Sequence, residues 1–221
     1  DDLLAPVCIE TLLGAFRQCP DVTLATSTRA LVDDAGRPMP DHPSTMPILG
    51  ETRVVAGHSL ANTMIGAGLN VVGEPSTTLF RRDDLADQAP RYFRFDEVEG
   101  RGILDMATWA TLLLRGDAVY FRERLSSVRI HDHHDYAPDL GVRTVESIRG
   151  LQAAWLALGI FDRLPPDLLL TRAWPPQRNE RWRIERVRSF VAPPMAPTAR
   201  LAAWRSERAE PVMSAAVGPG P

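Results

Sequence analysis

Lysine is missing from this chain: all 25 basic residues are arginines. Against 28 acidic residues they leave a formal net charge of −3, so binding of nucleic acid through a broadly basic surface is not indicated. Cysteine is nearly missing too. Cys8 and Cys19 are the only two, too few for a disulfide framework, and both read as reduced core residues of one helix. No apolar run approaches the roughly 20 residues of a membrane span, and no stretch reads as a signal peptide. There is no internal repeat. What is present is a chain of 221 residues, 44% hydrophobic and 24% charged, enough for one ordinary soluble domain with a substantial core and room for an appendage.

The pattern alternates. A first helix follows Asp1-Asp2-Leu3-Leu4-Ala5-Pro6, with Pro6 suited to a first turn. Ile9, Leu12, Leu13 and Phe16 at helical spacing predict its buried face. Val22–Val32 is rich in β-branched residues and ends in the turn signal Asp33-Asp34-Ala35-Gly36, which predicts a strand. Residues 37–56, with four prolines, read as a loop. A short helix is expected over 57–66, a strand over 77–80, and a charged loop over 83–102 anchored by Tyr92, Phe93 and Phe95. Next comes a helix over 104–114 with Met106, Trp109, Leu112 and Leu113 inward, ended at Gly116. Two short strands follow, 118–122 and 125–130. Beyond them the character changes. Val145, Ile148, Leu151, Trp155 and Leu158 mark an amphipathic helix stopped at Gly159. Further helices are expected over 164–172 and 180–191 and after Thr198. The last eleven residues, 211–221, predict a disordered tail. Strands alternating with helices give the α/β class.

Three groups could carry chemistry. Asp1-Asp2 stands before a helix, where carboxylates cap the dipole or offer hard oxygen ligands to Mg²⁺ or Mn²⁺. Asp105 stands at the head of an apolar helix, as a cap or as a general base. Arg129-Ile130-His131-Asp132-His133-His134-Asp135-Tyr136 looks like a metal cluster. Its spacing argues against five ligands on one ion, and one histidine ligand is favoured over a full set. A metal hydrolase built on 131–135 is one alternative function. A non-catalytic sugar- or nucleotide-binding module is another.

The order of these elements resembles the C-terminal two-thirds of an inverting glycosyltransferase of family 2, with the GT-A fold. Asp1-Asp2-Leu3-Leu4-Ala5-Pro6 looks like the tail of that family's D-x-D element, and Cys19-Pro20-Asp21-Val22 like its P-x-V segment. Asp33 to Gly36 resembles its D-x-x-G turn, and GEPSTTLFRR, Gly73–Arg82, its G-x-P-S strand. Leu104-Asp105-Met106 with Trp109 resembles its x-D-W helix, and Arg129-Ile130-His131 its R-x-H.

The resemblance covers about residues 1–136 and implies a partial GT-A catalytic fragment there, a helical extension over 137–210, and a nucleotide-binding half lying before Asp1. It implies Asp105 as catalytic base, with Pro75, Ser76, Arg81, Arg82 and Arg129 binding substrate. It further implies Asp1, Asp2 and His131 on a divalent metal, Mn²⁺ or Mg²⁺. The partners implied are a nucleotide-sugar donor and a saccharide, lipid-linked or protein acceptor. The setting implied is bacterial envelope assembly, in the cytoplasm or at the inner-membrane surface. It also implies that these 221 residues alone are inactive and marginal in solution, with the strands 22–32 and 77–80 lacking central neighbours.

Overall fold

The structure, a computed structural model, describes residues 2–88, 94–95, 98–99, 102–131, 140–159, 166–177 and 180–188. All of them belong to one compact unit spanning Asp1–Val191. The elements in chain order are β1 (Leu3–Leu4), α1 (Cys8–Gln18), β2 (Val22–Val32), β3 (Pro38–Met39), β4 (Arg53–Val55) and α2 (Gly57–Ala67). A 3₁₀ turn (Pro75–Thr77), β5 (Leu79–Phe80), a second 3₁₀ turn (Arg82–Gln88), β6 (Arg94–Phe95) and β7 (Val98–Glu99) follow. The series ends with α3 (Leu104–Arg115), β8 (Asp117–Arg129), α4 (Leu140–Ala157), β9 (Leu168–Ala173) and β10 (Arg183–Arg186). The fold is mixed α/β on a mixed sheet.

The two long strands form the centre. β2 and β8 run parallel from Val22 opposite Asp117 to Val32 opposite Arg129. Around them the sheet runs β10-β9-β4-β8-β2-β3, with β1 added on β8 and β5 on β2. Every pair except β2–β8 is antiparallel. Successive side chains on a strand point to opposite faces, and the two cores follow from that alternation. Val55, Ala118 and Tyr120 face α2, α3 and α4 in a core that includes Leu60, Met64, Trp109, Leu112, Leu151 and Trp155. Val54, Val119 and Phe121 face α1 with Cys8, Leu12 and Ala15. The register shift between Val22 and Leu24 puts these two residues in different cores despite their equal parity.

α2 crosses the end of α3 so closely that only glycine fits at the contact. A Cβ on Gly57 would lie 1.9 Å from the carbonyl oxygen of Gly116.

Several expectations hold. The helix over 104–114, its four inward residues and the strand 22–32 are all present, and Cys8 and Cys19 are buried free thiols. Others need correction. The buried face of α1 is Cys8, Leu12 and Ala15, while Ile9 and Leu13 are exposed, because the sheet meets the helix one residue round from the predicted stripe. The stretch 37–56 is not all loop: β3 and β4 lie in it. The strands expected over 118–122 and 125–130 are one strand whose irregular register absorbs extra residues.

The segments 164–172 and 180–191, read as helices, contain strands. Leu169 and Thr171 are buried in alternation, β9 pairs with β4, and β10 pairs with β9. A short apolar run has no decisive period, and here the edge of β4 decided. Strands β2 and β5 do not lack neighbours: β8 covers the full length of β2, and β5 lies on its other edge. Tyr92, Phe93, residues 132–136, Thr198 and the 211–221 tail lie outside the described residues. No helix among the described residues is long and apolar enough to cross a membrane.

Candidate functional site

The loop 70–77, between α2 and β5, is fixed from beneath by α3 and β2. Gly73 has φ +126, a conformation open to glycine, and a Cβ there would press to 2.7 Å from the Thr77 hydroxyl. The Gly73 carbonyl accepts the Trp109 indole N–H at 2.8 Å, and Trp109 is completely buried. Thr26 on β2 hydrogen-bonds the Val72 carbonyl. Arg29, also on β2 and buried, donates to the Asn70 carbonyl at 2.9 Å and pairs with Glu74 at 2.8 Å. Pro75 opens the 3₁₀ turn, where its missing N–H costs nothing, and Pro75 and Ser76 are exposed.

Asp105 is the second residue of α3. Its Oδ1 accepts the Met106 amide at 2.7 Å and its Oδ2 accepts the Asn70 side-chain amide at 2.6 Å. Burial pushes its carboxyl above the ordinary aspartate range. The Met106 and Asn70 hydrogen bonds and the Arg29 charge pull it down, while the Glu74 charge adds to the rise. A carboxylate raised in this way is a better proton acceptor near neutral pH than an exposed one.

At the other end of the loop, the Ser76 hydroxyl donates to Asp2 Oδ2, and the Arg129 peptide N–H donates to Asp2 Oδ1 at 3.1 Å. Pairing of β1 with β8, Leu3 opposite Ser127, brings Asp2 to the end of β8. The Arg129 guanidinium grips the turn after β2, donating to the carbonyls of Asp33 at 3.1 Å and Asp34 at 2.7 Å. That turn closes as expected: Asp33 accepts from Arg37, which holds its carboxyl below the ordinary range.

The structure therefore brings together Asp2, Ser76 and Arg129, and the same loop carries contacts onward to Asp105. Half-buried His131 follows β8 two residues beyond Arg129. Arg81 and Arg82 lie elsewhere. Arg81 donates to the carbonyls of Val22 at 2.7 Å and Pro20 at 3.2 Å and lies over the Phe16 ring, at the opposite end of β2 from Asp2. Arg82 is exposed beside Asp83. Asp1 and residues 132–135 lie outside the described residues.

Asp2 meets part of what a divalent ion needs. Its two oxygens accept from neutral donors, a hydroxyl and a peptide N–H, which orient the carboxylate. Among the described residues no three His, Cys, Asp or Glu side chains gather as a complete ion site.

Sequence reasoning missed Asn70, Glu74 and Arg29. Asn70 carries a local signal, an Asn three residues before a Gly at a turn. Arg29 carries none: it is an arginine in the middle of a β-branched strand, and only the fold reveals its partner. The chain matches no protein-family model and no curated protein by sequence.

Proposed function

We propose that these residues form part of an inverting glycosyltransferase, with Asp105 as the base that takes the proton of an acceptor hydroxyl. As that proton passes to Asp105, the hydroxyl oxygen bonds to the anomeric carbon. The bond from that carbon to the leaving nucleoside diphosphate breaks on the opposite face. Asp2, with Asp1 and His131, would hold a divalent cation, Mn²⁺ or Mg²⁺, whose charge offsets that of the diphosphate when bound.

Pro75 and Ser76 offer the acceptor an exposed floor, and Arg129 acts through Asp2 and the Asp33–Asp34 turn. Arg81 takes no part in this reading, because it is engaged by carbonyls at the far end of β2, and neither does Arg82, which is exposed beside Asp83. One observation supports the proposal: the loop 70–77 is hydrogen-bonded to Asp105 through Asn70 and to Asp2 through Ser76, so a single loop holds both carboxylates. The partners are a nucleotide sugar and a hydroxyl-bearing saccharide, lipid-linked or protein acceptor.

The test is chromatographic detection of nucleoside diphosphate released from UDP-, GDP- and dTDP-linked sugars with Mn²⁺, on a polypeptide carrying these residues. Acceptor-dependent release that disappears in Asp105→Asn supports the reading. Release unaffected by that substitution removes Asp105 from the role.

A further inference from the structure

We infer that Asn70 is the positioning residue of the Asp105 carboxylate, tying its orientation to the conformation of the loop 70–77. The inference rests on the reading of Asp105 as a base. All four hydrogen-bonding capacities of the Asn70 amide are used. Its Oδ1 accepts the peptide N–H groups of Val72 at 3.1 Å and Gly73 at 2.9 Å. Its Nδ2 donates to the Gly73 carbonyl at 3.0 Å and to Asp105 Oδ2 at 2.6 Å. This pattern fixes the amide orientation, since a flipped amide would set its NH₂ against two N–H donors and its oxygen against two acceptors.

One side chain therefore closes the turn and holds the carboxylate. The Arg29–Asn70 carbonyl contact and the Trp109–Gly73 carbonyl contact clamp the same turn from β2 and α3. Met106 N–H holds the other carboxylate oxygen, so Asp105 is fixed at two points, one on its own helix and one on the loop.

The charged groups facing Asp105 are Glu74 on the loop and Arg29 on β2. Among the described side chains, those of α2 and of the 3₁₀ turn 82–88 lie toward the far end of α3. His58 of α2 is near Asp117, and Asp84 and Asp87 of the 3₁₀ turn 82–88 are at Arg115. An acceptor hydroxyl meets a lone pair of Asp105 in line only while both anchors hold, and a misplacement of about 1 Å can cost 100-fold in rate.

The experiment needs no substrate. Carbon-13 carboxyl NMR titration of Asp105 is run on the 221-residue chain as wild type and Asn70→Ser, with the Trp109 indole N–H signal reporting whether Gly73 stays in place. Serine keeps an acceptor for the turn, and its shorter side chain withdraws the donor from Asp105 Oδ2, so Asp105 is expected to titrate higher than in wild type while the Trp109 signal is unmoved. An unchanged Asp105 titration with that signal unmoved overturns the inference.

Asn70→Asp is the second variant, for the case in which serine loosens the turn. It keeps both acceptor contacts and sets a carboxylate against Asp105, so the two groups should titrate as a coupled pair. Independent titration overturns the inference. In the transfer assay Asn70→Ser should lower kcat about 100-fold with KM nearly unchanged. A KM effect alone would contradict positioning. A shifted titration in a protein without any transfer activity would count against the glycosyltransferase reading and leave the Asn70–Asp105 link standing.

Discussion

Asp105 and Asp117 stand at the two ends of the same structural unit, one opening α3 and the other following it at the start of β8. Burial raises the carboxyl of each above its ordinary range. Their partners differ. Asp117 accepts the Gly57 peptide N–H at 3.3 Å, at the N-terminus of α2, and pairs with Arg172 at 3.3 Å. Both contacts join elements of the fold: one seats a helix, the other ties β9 to β8. Asp105 has neutral donors alone in direct contact, and the nearby cation, Arg29, is engaged by Glu74. Desolvation by itself does not separate a reactive carboxylate from a structural one. The two differ in what their oxygens touch: neutral donors for Asp105, a peptide N–H and a guanidinium for Asp117.

The largest expected effect breaks the pair apart. Asp105→Asn should lower transfer by about 10²- to 10⁴-fold, the range of general-base catalysis, while nucleotide-sugar binding stays near wild type. Asp117→Ala should leave transfer within a few fold and cost about 1–3 kcal/mol of stability through lost hydrogen bonds, measured by urea denaturation. If Asp117→Ala is the variant that stops transfer, the assignment is reversed.

Trp109→Ala comes next. The ring is completely buried and its N–H holds Gly73, so a loss of about 3–5 kcal/mol is expected, again by denaturation. A loss below about 1 kcal/mol would mean that the loop 70–77 does not depend on α3.

Arg81→Ala should cost about 1 kcal/mol by releasing the Val22 carbonyl and the Phe16 ring, with donor affinity by calorimetry unchanged. A fall in donor affinity would restore Arg81 to the substrate site.

The smallest effect is a slope. A carboxyl raised in the folded state lends stability that is fully present below the ordinary value of about 3.9 and is lost as pH rises through the folded value. Both Asp105 and Asp117 act in that direction. Asp105→Asn removes its own share, so melting temperature against pH should be flatter than in wild type just above pH ~4, with the Asp117 share remaining. An unaltered slope would mean that Asp105 is not desolvated.

The contrast also explains what the sequence could reveal. Asp2, Ser76 and Arg129 lie far apart in the chain, yet each sits in a local pattern with its own chemistry, and the structure brings them into hydrogen-bonding contact. Trp109 and its helix were legible because a 3.6-residue period states which face is buried. Arg81 was not, because Arg-Arg after a strand reads the same whether it meets a substrate or backbone carbonyls.

Arg29 and Glu74 pair across 45 residues of chain, and nothing local marks them as partners. Leu168–Ala173 misled for a different reason: three leucines after two prolines fit a helix start as well as a strand, and the neighbour that settles it, β4, lies over a hundred residues earlier. Long-range pairing is the part of the fold that local periodicity does not encode.

The most direct test of the account is proton NMR of the transfer reaction with an α-linked nucleotide sugar, run with wild type and with Asp105→Asn. The account predicts a β-linked product from wild type and its formation at least about 100-fold more slowly by the variant. An α-linked product, or a β-linked product formed at the wild-type rate by Asp105→Asn, would contradict it.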